Sequence, residues 1–218
     1  MSRIIKTFTM IIAISLLSCT KETETIYIIR DSSIIKDVVK ESVEEVAYGL
    51  KKQMKKNTEL VNIAISDPKD HYSGTESEEY NSSTYYYDYL FDYIMNRINS
   101  DSYRFESEYN GEYESYYLIS DDSIRNNWQI SQISEESDYY LLSGTTSRIG
   151  YQYSKIYEDY INSGITFNYS SIQINRINAK IKSGSIEFVC DWISSNGETN
   201  VTSGTIVFSD YYYQIHYN

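Results

Sequence analysis

The sequence contains few of the residue types that most catalytic sites require. Its 218 residues include two histidines, two cysteines, one proline and nine glycines. The glycines lie singly, which excludes a glycine-rich phosphate loop. A serine hydrolase needs a histidine base, but His71 lies in a polar segment with no second ligand or acid at the spacing of a metal site. We expect His71 to be solvated, and the sequence indicates no catalytic residue, metal or cofactor.

The two cysteines offer little more chemistry than the histidines. Cys190 and His216 form the one nucleophile–base combination that the composition permits. However, Cys190 alternates in phase with Ile186, Phe188 and Trp192, which predicts a strand that buries all four side chains on one face. A buried cysteine behaves as a small hydrophobic residue, since a reactive thiolate needs a polar and partly exposed setting.

Positive charge is also scarce. The chain has 19 basic residues against 31 acidic ones, a formal net charge of −12. Such a surface repels phosphates and anionic head groups, so the composition excludes nucleic acid as a partner and disfavours a basic membrane-binding patch.

Long apolar runs are missing except near the start of the chain. Residues 8–17 (FTMIIAISLL) are apolar and follow Arg3 and Lys6. Ten residues are too few to span a bilayer as a helix, but they have the length of the apolar part of a secretory signal. The run closes on Leu16-Leu17-Ser18-Cys19, which resembles the lipobox of bacterial lipoproteins: a leucine three positions before a cysteine and a small residue directly before it.

The lipobox resemblance implies a cellular destination and a lipid anchor. It implies a signal peptide over residues 1–18, cleavage after Ser18, and a diacylglyceryl group on the thiol of Cys19. The partner of the acylated Cys19 is then the lipid bilayer, because acyl chains anchor without a basic patch. Thr20 is not the aspartate that retains many lipoproteins in the inner membrane, so the resemblance implies the outer membrane of a Gram-negative cell, on its periplasmic or surface face. Loss of Arg3 and Lys6 would take the net charge from −12 to −14.

The first part of the exported chain, residues 19–65, is predicted to be a lipid-anchored tether and an amphipathic helix. The helix is predicted over residues 33–57, where apolar side chains recur at three- and four-residue steps. The stripe consists of Ile35, Val39, Val43, Val46, Leu50 and Met54. Acidic residues lie early and lysines late, the order that the helix dipole favours.

The next two segments are predicted to be a linker and a second helix. Residues 66–83 contain the one proline, many acids and serines, and almost no apolar residue, which is typical of a polar linker or loop. Residues 84–99 fit a helical face through Tyr87, Leu90, Phe91, Ile94, Met95 and Ile98. The cluster Tyr85-Tyr86-Tyr87 favours a strand instead, and we predict the helix.

From about residue 100 the apolar period changes from 3.6 to two, which predicts antiparallel strands. Asn110-Gly111 is the strongest hairpin signal, and Asn196-Gly197 and Ser209-Asp210 predict further turns. Residues 149–161 fit either a short helix or a strand. The predicted fold class is therefore α+β: an N-terminal amphipathic helix followed by a mainly antiparallel β domain over residues 84–218, in the form of a sandwich or a partly closed barrel.

Composition leaves two classes of function open. Twenty-five tyrosines either serve as strand aromatics or line a binding face, and the first interpretation is favoured. The acidic clusters Asp121-Asp122, Glu135-Glu136 and Glu76/Glu78/Glu79 lack the spacing of a calcium loop and are expected to be solvated. We therefore expect a non-enzymatic, membrane-anchored module that binds a glycan, peptide or protein or supports the envelope. The alternative is an envelope hydrolase whose Asp or Glu pair is not identifiable from spacing.

Lipidation of Cys19 is directly testable. In cells grown with labelled palmitate, the wild-type protein is expected to carry the label and the Cys19→Ala variant to carry none, because the thiol is the site of diacylglyceryl transfer. The measurement is autoradiography of the immunoprecipitated protein. Label retained by the variant would contradict the lipoprotein prediction.

Overall fold

The computed structural model describes residues 32–133 and 137–218, and most of these residues belong to one sheet. Nine antiparallel strands follow one another in space in the same order as in the chain, each hydrogen-bonded to the next. Their bounds are β1 His71–Asn81, β2 Tyr86–Asn99, β3 Ser102–Glu114, β4 Leu118–Ser131, β5 Tyr139–Ser154, β6 Asp159–Asn175, β7 Ile181–Ser194, β8 Thr199–Ser209 and β9 Tyr212–Tyr217. The predicted signal peptide, Cys19 and the tether lie outside the described residues.

Two short helices precede the sheet. Helix α1 covers residues 32–41, a 3-10 turn covers Glu45–Ala47, and helix α2 covers Leu50–Ser66. The helical segment is interrupted between α1 and α2 because Tyr48 adopts a left-handed backbone conformation (φ 49°) and Gly49 lies against the backbone of Ser42. A Cβ on Gly49 would lie 2.6 Å from the carbonyl oxygen of Ser42, so only glycine allows this close approach.

The sheet curls around the helices, and its inner face and the helices share one core. On the β1 side, Lys52 and Lys56 of α2 pair with Glu78 and Glu76. On the β9 side, the Tyr213 hydroxyl donates to Glu44 Oε1 at 2.5 Å. Both ends of the strand order therefore contact the short helical segment, and the hydrophobic cluster includes residues from both helices and from the inner face of the sheet.

The predicted fold class is wrong. An α+β chain with a sandwich or partly closed barrel was expected, whereas the described residues form one nine-stranded antiparallel sheet with two short helices. A sandwich covers its inner face with a second sheet. Here the helices cover that face, and β1 and β9 lie at opposite ends of the strand order.

The prediction of a linker over residues 66–83 is wrong for residues 71–81, which form β1. The strand lacks an apolar face because its inward positions Glu76 and Glu78 form ion pairs with the lysines of α2. Lys52 and Lys56 are four residues apart and lie on one helix face, while Glu76 and Glu78 are two apart and lie on one strand face. The two spacings match only when the elements are packed together, so neither segment alone indicates the contact.

The predicted helix over residues 84–99 is also wrong, since these residues contain β2. The inner face of β2 buries Tyr87, Tyr89, Phe91 and Met95. The outer face carries Leu90 and Ile94, which are 46% and 43% exposed. Apolar residues on both faces of a strand imitate a helical period, and this explains the error.

Asn110-Gly111 is not a hairpin turn. Both residues lie inside β3, opposite Leu90 and Tyr89 of β2. A Cβ on Gly111 would lie 2.8 Å from Cδ1 of Tyr89, so glycine makes room for that buried ring. A hairpin turn at Asn110-Gly111 would place Phe105 opposite Tyr116, whereas Phe105 pairs with Met95 and Trp128.

The later β region agrees with the sequence. The turns at Asn196-Gly197 and Ser209-Asp210 separate β7, β8 and β9, with positive φ at Gly197 and Asp210. Residues 149–161, for which two interpretations stood, form the end of β5, a turn and the start of β6. The predicted helical stripe is buried at Ile35, Val39, Val43, Leu50 and Met54, although two helices share it and α2 extends beyond residue 57 to Ser66.

The predicted phase of β7 is confirmed. Ile186, Phe188, Cys190 and Trp192 are all buried, with Cys190 fully inaccessible. Burial, reinforced by the charge of Asp191, raises the pKa of the Cys190 thiol to about 12. The thiol is therefore protonated at neutral pH and shielded from reagents.

Cys190 provides a test of this phase in a variant that lacks Cys19. We expect slow labelling by a thiol reagent in the native protein and fast labelling in denaturant. Cys190→Ser should lower the free energy of unfolding by about 1–3 kcal/mol, because it buries a hydroxyl short of partners, and Cys190→Ala should cost less. The measurements are labelling rates and urea titrations; fast native labelling would contradict the burial of this face.

Candidate functional site

The candidate catalytic pair of the sequence does not form. Cys190 faces the helices, whereas His216 lies at an exposed position on the outer face of β9. His71 is exposed on β1, and its Nδ1 lies 2.8 Å from Oδ1 of Asn96. No group of three metal-ligating side chains occurs among residues 32–133 and 137–218.

The acidic clusters are separated by the alternation of the strands. Asp121 and Asp122 are adjacent in β4, but Asp121 points outward and the Asp122 side chain is fully buried. Glu76 and Glu78 pair with lysines of α2 rather than facing solvent freely. Glu135 and Glu136 lie outside the described residues.

The inner face contains a buried polar cluster centred on Arg148 of β5. Arg148 forms an ion pair with Asp122, and the two side chains are 3% and 0% exposed. Asp122 also accepts hydrogen bonds from the Tyr89 hydroxyl at 3.1 Å and the Ser120 hydroxyl at 2.9 Å. Burial by itself would lower the pKa of Arg148, but Asp122, Tyr89 and the nearby Tyr113 outweigh it and raise that pKa, so the guanidinium stays charged.

Helix α1 adds a second carboxyl group to this cluster. Glu41 is 4% exposed, and its Oε2 has no hydrogen-bond partner among the described residues. Burial raises the pKa of Glu41 against the opposing influence of Lys40, Ser115 and Arg148. Because the Asp122 and Glu41 side chains are inaccessible, the cluster holds the helices on the sheet rather than meeting a substrate.

The accessible candidate is a groove on the opposite, outer face of the sheet. It spans strands β4 to β8 and has a volume of about 820 Å³. Its floor is Gly164 of β6, where a Cβ would find no atom within 4 Å. We define the outer groove by its outward-facing lining residues Asp121, Ile149, Tyr151, Asn162, Gly164, Asp191, Ile193 and Val201.

The strand register explains why a groove forms at Gly164. Gly164 pairs with Ile149 of β5 on one side and with Asp191 of β7 on the other. The next outward row places Tyr151 and Ile193 on either side of Asn162. Larger side chains on β5 and β7 thus form two ridges, and the missing side chain of Gly164 leaves the space between them.

The ridges present apolar surface to solvent. Ile149 is 64% exposed, Tyr151 48%, Ile193 45% and Val201 65%. The Tyr151 ring stacks on Tyr160 with centroids 5.1 Å apart and an interplanar angle of 22°, and this contact orients the ring. Exposed apolar side chains gathered around one concavity are typical of a binding surface.

The polar groups of the outer groove are available for a ligand. Within the part of the chain that the structure describes, the side chains of Asp121, Asn162 and Asp191 have no hydrogen-bond or ion-pair partner. No lysine, arginine or histidine is among the described residues that line the groove. The site therefore offers apolar platforms and unpaired hydrogen-bonding groups, with negative but no positive charge.

No local sequence pattern predicts this groove. The groove depends on Gly164 lying between ridges from β5 and β7. The sequence does not predict these ridges, because residues 149–161 fit either a short helix or a strand. A signal was nevertheless present, because the outward positions of β6 after Tyr160 carry only small or polar side chains, namely Asn162, Gly164, Thr166, Asn168 and Ser170.

Comparisons with known proteins give no family for this chain: no family model, curated protein or solved structure matches it. Within the described residues, neither helix is long and apolar enough to cross a membrane.

Removal of one partner of the buried ion pair is expected to be strongly destabilising. Arg148→Met leaves Asp122 buried without its cation and should lower the free energy of unfolding by about 3–5 kcal/mol. The matched control is Arg125→Met, because Arg125 is 73% exposed and lies 3.4 Å from Glu108 on the outer face. That substitution should change the free energy by less than about 1 kcal/mol. Urea titrations with equal losses in both variants would contradict the role of the buried pair.

Proposed function

We propose that this chain is a membrane-anchored bacterial lipoprotein whose exported part is a non-enzymatic binding module with its site in the outer groove. The observation that carries the proposal is the outer groove itself, floored by Gly164 between exposed ridges of β5 and β7. The lipobox-like Leu16-Leu17-Ser18-Cys19 supplies the anchor and the envelope location.

The arrangement of carboxylates supports binding over hydrolysis. Asp121 and Asp191 are the outward-facing carboxylates of the groove, on β4 and β7. Three inter-strand spacings of about 4.8 Å and an offset of two residues along the strands place their Cα atoms roughly 16 Å apart. Glycoside hydrolases hold their two carboxyl groups about 5–10 Å apart, so this pair is too widely separated for that chemistry.

Substitution of the groove floor tests the proposal. The mature protein, solubilised in detergent, is mixed with insoluble envelope material of the producing cells, and sedimentation measures the bound fraction. Gly164→Trp should fill the groove and abolish co-sedimentation without unfolding the protein, because open space surrounds the Gly164 position. The matched control is Asn168→Trp, which adds the same side chain at an exposed outward position of the same strand.

Two outcomes would overturn the proposal. Equal co-sedimentation of the wild type and Gly164→Trp would show that the groove is not the site. Release of soluble product from the envelope material, lost on substitution of one Asp or Glu, would favour the hydrolase alternative.

A further inference from the structure

We propose that the ligand of the outer groove is an uncharged oligosaccharide chain, bound along β6 through side chains alone. This inference rests on the proposed binding function and names the chemical class of its ligand. Three features carry it: one aromatic ring and apolar side chains beside unpaired polar groups, central strands that are hydrogen-bonded on both sides, and the sign of the groove's charge.

The outer groove has the mixed polarity that a sugar ring requires. A pyranose ring has apolar C–H faces and a rim of hydroxyl groups, so its site needs a flat apolar platform beside hydrogen-bonding side chains. Tyr151 supplies such a platform, held by its stacking on Tyr160. Asn162, in the strand pair directly opposite Tyr151, offers both a donor and an acceptor amide group to the hydroxyls. Asp191 adds acceptors beside Gly164.

The backbone at the centre of the groove cannot recruit an extended peptide. Peptides that bind sheets usually add a strand to a free edge, where unpaired N–H and C=O groups supply the affinity. The centre of the groove lies over β5, β6 and β7, and each of these strands is already hydrogen-bonded to a neighbour on both sides. A ligand here must be recognised by side chains, which suits sugar hydroxyls better than a peptide backbone whose own amides would lose water without replacement.

The charge of the groove selects against ions. Asp121 and Asp191 repel acidic ligands such as uronic acid polymers and phosphates, and no cation lines the described site to offset them. Their separation of roughly 16 Å prevents both carboxylates from contacting one cationic group. Neutral hydroxyl groups, in contrast, can donate to each carboxylate separately without bringing a charge into the apolar groove.

The experiment measures dissociation constants by isothermal titration calorimetry on the solubilised mature protein. The probes are soluble fragments of neutral glucans, mannans and arabinans, fragments of polygalacturonate as the acidic probe, and a lysine-rich peptide as the basic probe. The variants are Gly164→Trp with its control Asn168→Trp, Tyr151→Ala with its control Tyr212→Ala, and the double variant Asp121→Asn/Asp191→Asn. Tyr212 is a suitable control because it is 81% exposed on β9, outside the groove.

We expect at least one neutral probe to bind and both charged probes to fail. Gly164→Trp should abolish that binding and Tyr151→Ala should weaken it about tenfold, while the two controls retain it. The double asparagine variant should weaken it about tenfold, because each substitution replaces a charge-assisted hydrogen bond to the sugar with a neutral one. Salt should not change the affinity, because no ion pair forms with a neutral sugar.

Other results would distinguish an error in the saccharide assignment from an error in the proposed binding function of the groove. If the basic peptide binds through the groove, with loss in both Gly164→Trp and the double asparagine variant, the saccharide assignment is wrong and groove binding stands. If no neutral probe binds, the saccharide assignment is also overturned, and the envelope co-sedimentation experiment decides the proposed function. Neutral binding that is unchanged by Gly164→Trp would place the sugar elsewhere and contradict both.

Discussion

Hydrogen bonds from tyrosine hydroxyls to the helices are the interactions on which this architecture depends. A nine-stranded sheet has a wide inner face, and within residues 32–133 and 137–218 the helical segment with α1 and α2 covers it. Tyrosine solves two problems there, because its ring fills the core and its hydroxyl reaches a polar helix side chain. Tyr109 donates to Asn57 at 3.2 Å, and Tyr140 and Tyr213 donate to Asn62 and Glu44. Asn57 and Asn62 of α2 thereby gain hydrogen-bond partners on the sheet, which an apolar sheet face would not supply.

The same requirement explains the buried charges. Arg148 and Asp122 lie where the sheet meets the segment between the helices, and Arg148 also approaches the carbonyl oxygen of Ala47 at 3.4 Å. Gly150 makes room for this cluster, since a Cβ there would lie 2.1 Å from Oδ1 of Asp122. Polar contacts between helix and sheet are directional, so they select one placement of the helices where apolar packing alone would allow several.

Because the inner face carries the core, the outer face is available for recognition. The buried core does not include Ile149, Tyr151 or Ile193, which remain substantially exposed. The outer groove is built on central strands that are paired on both sides, so its floor is rigid while its side chains are accessible. A rigid platform with oriented side chains lowers the entropy lost on binding.

Features that depend on short-range period and local chemistry can be read directly from the sequence. These features are β7 with its buried face at Cys190, the turns at Gly197 and Asp210, and the apolar stripe of the helical segment.

The tertiary structure alone determines that residues 71–81 form a strand. Glu76 and Glu78 can point inward there because they pair with Lys56 and Lys52. It also decided that Gly111 accommodates the Tyr89 ring instead of forming a turn, and that Gly164 is the floor of a groove. These features depend on pairs of residues distant in the chain, and no local pattern contains the partner that stabilises them.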